Sequence, residues 1–259
     1  MFHVSLFVLR SSFVIRISSF RLMDSGPPFH AFGVAHITVI VLTISLPFVL
    51  AAFVRRPKVR LVERFIAVAL SGLLVGNYFT YLVFVRRFEL ATWQESLPLQ
   101  LCDWAMVVVI VALLTGSKRW FEVAYFWGIG GTLQAVLTPN LPYGFPDLRF
   151  ISFFVSHSGI IIGIIFMMLV HKYRPSPAAL LRTFAWTELY FVIVFTIDKL
   201  TGVNYGFLLH KPEAFSLLSF LSDSRPLYLL QFHLLAWVFF AVLYLPFLMA
   251  DLVRQKSDL

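Results

Sequence analysis

Seven long apolar stretches dominate this chain of 259 residues. They cover residues 33–53, 65–85, 99–115, 120–137, 150–170, 180–197 and 227–249. A helix needs about 20 apolar residues to cross the hydrocarbon core of a bilayer, and each stretch is close to that length. Only 13% of the residues are charged, roughly half of the fraction in a soluble domain. The sequence therefore predicts an all-α, polytopic membrane helix bundle with about seven transmembrane helices.

Basic residues in the connecting loops predict the orientation of this bundle. Beyond residues 1–22, one set of loops holds twelve lysines and arginines, and the other set holds six. Cytoplasmic loops carry the excess of these residues, so we expect the N-terminus to face out and the C-terminus to face in. The formal charge of +8 then reflects topology and contact with anionic lipid. We expect membrane lipids as partners and no nucleic acid.

Residues 1–22 differ from the rest of the chain. They hold three arginines and five serines but no acidic residue. This composition is typical of a presequence, and it also fits an over-extended reading frame, because Met23 offers a second start. We expect residues 23–259 to form a single transmembrane helical domain.

Polar side chains inside and beside the predicted spans fall on one predicted side, the outer one. Polar groups within a bilayer are costly and tend to face a cavity or each other. We therefore expect one polar pocket open to the outer leaflet, formed by His36, Cys102, Asp103, Gln134, Thr138, His157, Asp198, Asn204, Tyr205 and His233. The alternative is that each residue contacts water and headgroups at its own interface. That alternative fits His36, Asp103 and Asp198, but it fits the deeper Gln134 and His157 poorly.

Cys102 is the only cysteine of the chain, so no intrachain disulfide can form. It begins a predicted helix, where the helix dipole favours the thiolate. A cysteine nucleophile needs a base within hydrogen-bond reach, and His157 is the best candidate. The alternatives are that Cys102 is inert packing and that His157 bonds to a neighbouring carbonyl or hydroxyl group. Asp198 either orients His157 or pairs with Lys199, and the sequence favours the pairing.

Glu188 does not follow the outer pattern, because it falls in the inner half of the sixth predicted span. We expect it to pair with Arg182 or Lys172, or to reach the inner interface. No metal-ligand spacing is present, and the glycines at 128, 130 and 131 follow no strand, so they do not form a nucleotide fingerprint. No cofactor is expected.

Several short segments carry a family resemblance. They are FGVAH (32–36), LPLQLC (97–102), LTP (137–139), FFVSH (153–157) and DKLTGVNYGFL (198–208), followed by Lys211-Pro212. In order and spacing, over residues 32–249, they resemble the YwaF-like bacterial integral membrane proteins. One departure is Gln100, where relatives often carry histidine; if that histidine serves as a base in them, this chain lacks it.

The YwaF-like family is in turn similar to a eukaryotic multispan acyltransferase that remodels ether phospholipids with a cysteine and a histidine. The resemblance implies a protein of the bacterial plasma membrane that acts as a lipid acyltransferase or acyl hydrolase. By position, Cys102 and His157 would be its catalytic residues. The alternative function is a carrier or binding protein for a small or amphipathic ligand, without covalent chemistry. A shared fold does not fix the function.

Overall fold

The computed structural model describes residues 26–54, 59–212 and 216–257. Its helices are α1 (Val34–Val54), α2 (Val59–Arg87), α3 (Leu101–Thr115), α4 (residues 118–137), α5 (Leu148–His171), α6 (Pro177–Thr201) and α7 (Arg225–Ser257). Short 3₁₀ turns at Tyr205–Phe207 and Leu217–Phe220 lie between α6 and α7. No strand occurs in these ranges, so the all-α prediction is confirmed. The prediction for residues 1–22 lies outside the described part of the chain.

Helix α4 changes its hydrogen-bond pattern along its length. It begins as an α-helix at Lys118–Ala124, continues as a π-helix at Tyr125–Thr132 and ends as an α-helix at Leu133–Leu137. A π-helix is rare and is frequently found at functional sites. Here it carries three glycines in eight residues: Gly128 packs closely against α5, and Gly130 and Gly131 leave space on the helix surface.

Five of the helices in the described ranges are long and apolar enough to cross a membrane, namely α1, α2, α5, α6 and α7. The predicted spans at 99–115 and 120–137 form α3 and α4, so helices occur where the sequence predicted them. Helix α3 has only 15 residues, which at 1.5 Å per residue is about 22 Å, shorter than a hydrocarbon core of about 30 Å. The α-helical parts of α4 have only seven and five residues, so uninterrupted helix length and apolar composition support five of the predicted spans.

Contacts between connecting segments and between helix ends define two ends of the bundle. At the loop end lie the segments between α2 and α3, α4 and α5, and α6 and α7. There Gly206 N donates to Gln100 Oε1 at 3.2 Å. At the basic end lie the segments between α3 and α4 and between α5 and α6, with the C-terminal part of α7. There His171 Nε2 lies 3.3 Å from Glu63 Oε1.

Helix α5 is the centre of the bundle. In its apolar window 56% of the residues are buried, against 22% or less in the other four candidate spans. It contacts α1, α2, α3 and α4. A Cβ added to Gly159 would lie 2.7 Å from Leu74 of α2, and one added to Gly163 would lie 2.9 Å from Val109 of α3. Small residues therefore let neighbouring helices approach α5 closely, as is common in membrane bundles.

Side-chain hydrogen bonds also join α5 to its neighbours. Thr43 of α1 donates to Ser158 Oγ at 2.7 Å. Asn77 of α2 donates to Ser156 Oγ at 2.8 Å. Each bond satisfies polar groups that would be costly to expose to lipid. Together with the glycine contacts, they set the faces that α1 and α2 present to α5.

Replacing Gly128 by alanine should destabilise the bundle. A Cβ at this position of the π-helix would lie 2.4 Å from Ile164 Cδ1 and 2.8 Å from Ile160 Cγ2, both on α5. Overpacking of this kind costs about 1–3 kcal/mol, so we expect a lower midpoint when thermal unfolding of the purified protein is followed in detergent.

Gly76→Ala is the matched control, because no atom lies within 4 Å of a Cβ built at Gly76. Alanine is the better helix former by about 1 kcal/mol, so this variant should unfold at the wild-type midpoint or above it. Equal losses in the two variants would contradict the packing argument.

Candidate functional site

The segment that precedes α3 is held in place by hydrogen bonds along its whole length. Leu97 N of the segment donates to Tyr205 Oη at 3.0 Å. Two of its carbonyl groups accept bonds: Pro98 O from Trp104 Nε1 at 3.1 Å, and Leu99 O from Tyr190 Oη at 2.9 Å. The side-chain oxygen of Gln100 accepts from Gly206 N at 3.2 Å. These bonds fix where α3 begins. They therefore fix the position of Cys102 in its first turn.

Tyr205 connects this segment to the loop after α6. Its side chain is buried, and its hydroxyl donates to Gln94 O. Burial raises the pKa of Tyr205, so the phenol stays protonated and remains a donor. Its backbone N–H donates to Asp198 Oδ1 at 3.0 Å. Asp198 thus holds the loop in place, and the predicted pairing with Lys199 is wrong, because the Lys199 ammonium lies beside the Phe195 ring instead.

A cavity of about 550 Å³, here called the Cys102 cavity, lies at the loop end between α2, α3 and α5. Four residues of the predicted site line it, namely Cys102, Asp103, His157 and Tyr205. Cys102 and His157 come from different helices, α3 and α5. The structure therefore brings the predicted nucleophile and the predicted base to the same cavity.

His157 has a defined hydrogen-bond arrangement. Its Nδ1 lies 2.7 Å from Phe153 O, one turn earlier in α5. A carbonyl oxygen only accepts, so Nδ1 carries the proton and Nε2 of the neutral ring keeps a lone pair. The ring also stacks on Phe153 with centroids 4.1 Å apart. The bond to a neighbouring carbonyl that the sequence left open is thus present, and it leaves His157 able to accept a proton.

Asp103 closes the first turn of α3. Its Oδ2 accepts a hydrogen bond from Gln100 N at 3.1 Å, which satisfies an amide at the start of the helix. The carboxylate lies directly after Cys102 in the chain and lines the same cavity. Among the described residues, no group of three or more His, Cys, Asp and Glu side chains could hold a metal ion.

Several polar residues of the Cys102 cavity were not predicted. They are Tyr78 and Tyr81 on α2, and Arg149, Ser152 and Ser156 on α5. The three α5 residues are three and four residues apart, so they share one face of the helix, but they lie eight, five and one residues before His157, so helical spacing from His157 does not find them. The tyrosines of α2 gave no signal either, because their place in the cavity depends on how α2 packs against α5.

Arg149 lines the Cys102 cavity at the first turn of α5. Asp147 caps this helix by accepting from Arg149 N at 2.8 Å, and its carboxylate also binds the Arg149 guanidinium at 2.8 Å. The guanidinium carbon lies 3.7 Å from the centre of the Tyr143 ring. These contacts hold a positive charge in the wall of the cavity.

A second cavity of about 470 Å³, here called the Glu188 cavity, lies between α4, α6 and α7. Gln134, Thr138 and His233 of the predicted site line it together with Glu188. His233 Nε2 lies 3.2 Å from Glu188 Oε2. The predicted pairing of Glu188 with Arg182 or Lys172 is therefore wrong, since Arg182 pairs with Glu122.

The predicted single pocket is thus divided in two. The first turn of α3 and the backbone after α6 separate the cavities: Cys102 and Tyr205 line one, and their neighbours Leu101 and Gly206 line the other. Sequence position could not reveal this, because adjacent residues of one helix point in different directions.

Three predicted residues lie outside both cavities, namely His36, Asp198 and Asn204. The His36 ring is buried, with Nε2 2.8 Å from Val136 O, and it joins α1 to α4. Asn204 Oδ1 accepts from Leu209 N at 2.8 Å and shapes its own loop. The side chains of His36, Asp198 and Asn204 therefore stabilise the fold at the loop end.

Replacing Asp147 by asparagine should lower thermal stability in a pH-dependent way. The Arg149 guanidinium holds the pKa of the Asp147 carboxyl below its usual range. The carboxylate therefore stabilises the fold above its unfolded pKa of about 3.9, and this contribution disappears as the pH falls through the lower folded value. The variant should lose about 1 kcal/mol near neutral pH, and the loss should shrink below about pH 4.

Thermal unfolding over a pH series measures this difference. Asp223→Asn is the control, since Asp223 pairs with Lys211 but its side chain is 97% exposed. A loss for Asp147→Asn that stays constant down to about pH 2 would contradict the assignment.

Comparison with known proteins identifies the family of this chain. Searches of curated proteins and of solved structures find no match. The sequence model of the TMEM164 family, a family of membrane proteins, matches residues 31–244. The match spans nearly the same part of the chain as the resemblance noted in the sequence, and it includes both cavities. The chain therefore belongs to the TMEM164 family.

Proposed function

We propose that this membrane protein transfers or hydrolyses the acyl chains of membrane lipids, with Cys102 as nucleophile and His157 as general base. The observation that carries the proposal is that both residues line the Cys102 cavity, although they come from α3 and α5. The YwaF-like resemblance supports the same pair and a location in the bacterial plasma membrane.

The state of His157 suits the role of a base. Because Nδ1 donates to Phe153 O, the lone pair of the neutral ring is on Nε2. The stacked Phe153 ring limits rotation of the imidazole. A base held in one orientation can take a proton from a thiol within hydrogen-bond reach.

The proposed reaction has two steps. In the first step, His157 takes the thiol proton while the Cys102 sulfur bonds to the ester carbon. The ester C–O bond then breaks, and the leaving lysolipid alkoxide receives that proton. In the second step, a lysolipid hydroxyl or water gives its proton to His157 and attacks the thioester, and Cys102 leaves as the protonated thiol.

The Asp103 carboxylate affects the protonation state in which the Cys102 thiol reacts. A carboxylate beside the sulfur makes a standing thiolate costly. Proton transfer to His157 during the attack avoids that intermediate. The proposal therefore uses general-base chemistry rather than a preformed thiolate–imidazolium pair.

The oxyanion of the first step needs hydrogen-bond donors nearby. Asn204 and Gln134 were candidates from the sequence, but Asn204 bonds within its own loop and Gln134 lines the Glu188 cavity. The candidates at the Cys102 cavity are its other polar side chains and the backbone amides at the start of α3, and we favour the amides. These amides precede the first α-helical hydrogen bonds and carry the positive end of the helix dipole.

The walls of the Cys102 cavity fit a phospholipid. Apolar residues such as Leu82, Val85 and Met106 offer a surface for an acyl chain, and the Arg149 guanidinium, which is paired with Asp147, is the cationic group of the lining that can also bond to a phosphate group. A volume of about 550 Å³ lies within the usual range of small-molecule sites, about 300–1,000 Å³.

The Cys102→Ala variant tests the chemistry. The wild-type protein, incubated in liposomes with acyl-labelled phospholipid, should form a labelled thioester on the Cys102 peptide that hydroxylamine removes. Cys102→Ala should form no thioester and release no lysolipid. His157→Gln should slow turnover by about 10²–10⁴-fold.

Ser158→Ala is the matched control. Ser158 follows His157 directly but bonds to Thr43 of α1 and lies outside the cavity, so turnover should continue at a rate close to that of the wild type. Full lipid turnover by Cys102→Ala would overturn the proposal.

A carrier or binding protein without covalent chemistry is the second candidate. The observation that favours it is the Glu188 cavity, whose lining lacks a cysteine. Ligand flux that survives Cys102→Ala, in a protein that forms no thioester, would support this candidate over the first.

We also propose that all seven helices cross the membrane, with the loop end outside and the C-terminus inside. For α3, the support is the preceding segment, residues 97–100, whose polar groups bond to the protein. Non-helical backbone is tolerated at membrane depth where protein surrounds it, so this segment can extend the reach of a 15-residue helix. The excess of basic residues at the other end supports the orientation.

Two single-cysteine variants test this topology. In the Cys102→Ala background, which contains no other cysteine, Thr92→Cys and Lys118→Cys bracket α3. An impermeant maleimide added to intact cells should label Thr92→Cys alone, and both should react after the membrane is opened. Labelling of both variants in intact cells would show that α3 does not cross, and the reverse pattern would invert the orientation.

A further inference from the structure

Among the residues that the structure describes, the lining of the Glu188 cavity combines one acidic side chain with many aromatic rings. Trp127, Phe184, Phe191 and Phe232 are among the aromatic residues that line it. Its lining contains no lysine or arginine among the described residues, and Glu188 is the acidic residue there. Aromatic faces attract cations through their quadrupole, and they do so more strongly in a site shielded from water. This composition therefore complements a positive charge on an apolar body.

The hydrogen bonds around Glu188 indicate that Glu188 and His233 share one proton. His233 Nδ1 lies 2.7 Å from Leu229 O, so it must be the donor of that bond. His233 Nε2 lies 3.2 Å from Glu188 Oε2. A hydrogen bond here needs one proton, either on the imidazole or on the carboxyl group. The pair is then neutral as a whole, in keeping with the high cost of net charge in a membrane.

We propose that the Glu188 cavity binds a lipophilic organic cation, with the Glu188 carboxylate as its counter-ion. The bound cation replaces the shared proton: the pair releases one proton, Glu188 remains a carboxylate and His233 remains a neutral imidazole. Charge balances, since one positive charge enters the site and one leaves it. The site is separate from the proposed acyl chemistry, because Cys102 and His157 line the other cavity.

The π-helix of α4 makes room for this ligand. Gly130 and Gly131 line the cavity, and the nearest atom to a Cβ built at either is 3.5 Å or more away. Trp127, also in the π-helix, is held by a bond from Nε1 to Thr187 Oγ1 at 2.8 Å. The volume of about 470 Å³ fits a compact ligand within the usual range of about 300–1,000 Å³.

Proton release makes binding depend on pH. The titratable side chains in the lining of the Glu188 cavity are Glu188 and Tyr190 on α6 and His233 on α7, while α3, α4 and the described part of the loop after α6 contribute none. Tyr190 donates its hydroxyl proton to Leu99 O and stays neutral. The Glu188–His233 pair is therefore the group that exchanges a proton for the cation.

Two ions of the same shape and opposite charge test this inference. The full chain in nanodiscs is titrated with labelled tetraphenylphosphonium and, separately, with tetraphenylborate, and binding to empty nanodiscs is subtracted. We expect saturable binding of the cation only, and an affinity that rises with pH, because binding releases one proton. Glu188→Gln should weaken cation binding about tenfold or more, equivalent to at least 1.4 kcal/mol.

Glu63→Gln is the matched control, because Glu63 also pairs with a histidine but lies at the basic end, outside both cavities. It should bind the cation as the wild type does. Gly131→Leu is a second variant that fills the cavity without removing the carboxylate, and it should also abolish binding. Equal binding of the two ions, no saturable cation binding, or unchanged affinity in both cavity variants would overturn the inference.

Discussion

The structure depends on satisfying the polar groups of a short non-helical segment, residues 97–100, just before α3. Backbone amides and carbonyls without partners are very costly in a low-dielectric interior. Here Tyr190, Trp104, Tyr205 and the backbone of Gly206 supply bonds at successive positions. These partners come from α3 itself, from α6 and from the loop after it. The start of α3 is thereby fixed relative to α6, and the position of Cys102 follows from it.

The same segment explains why the polar residues at the loop end divide into two sites. The first turn of α3 and the anchored Tyr205 loop stand between α5 on one side and α6 with α7 on the other. His157 thus shares a cavity with Cys102, while Glu188 and His233 face a different one. The two sites differ in chemistry: the first has a thiol, an imidazole, carboxyl groups and a guanidinium, and the second has a carboxyl–imidazole pair among aromatic rings.

Much of the fold could be predicted because a segment that crosses a bilayer must be long, apolar and helical. Long apolar runs must form helices, so the helices occur close to the predicted spans. The pairing of Glu188 could not be predicted, because it depends on how α6 rotates against α7. The roles of His36 and Asp198 were missed for a similar reason: buried polar groups find local partners, Val136 O and Tyr205 N, that sequence distance does not indicate.

The sequence by itself determined that the chain is an all-α membrane protein, and it singled out Cys102 and His157 as residues worth testing. It could do so because apolar length and the lone thiol are properties of the chain before it folds. Only the tertiary structure decided which polar residues meet. Close contacts at Gly128, Gly159 and Gly163 set how the helices pack. That packing turned one predicted pocket into two, since residues next to each other on a helix point in directions about 100° apart.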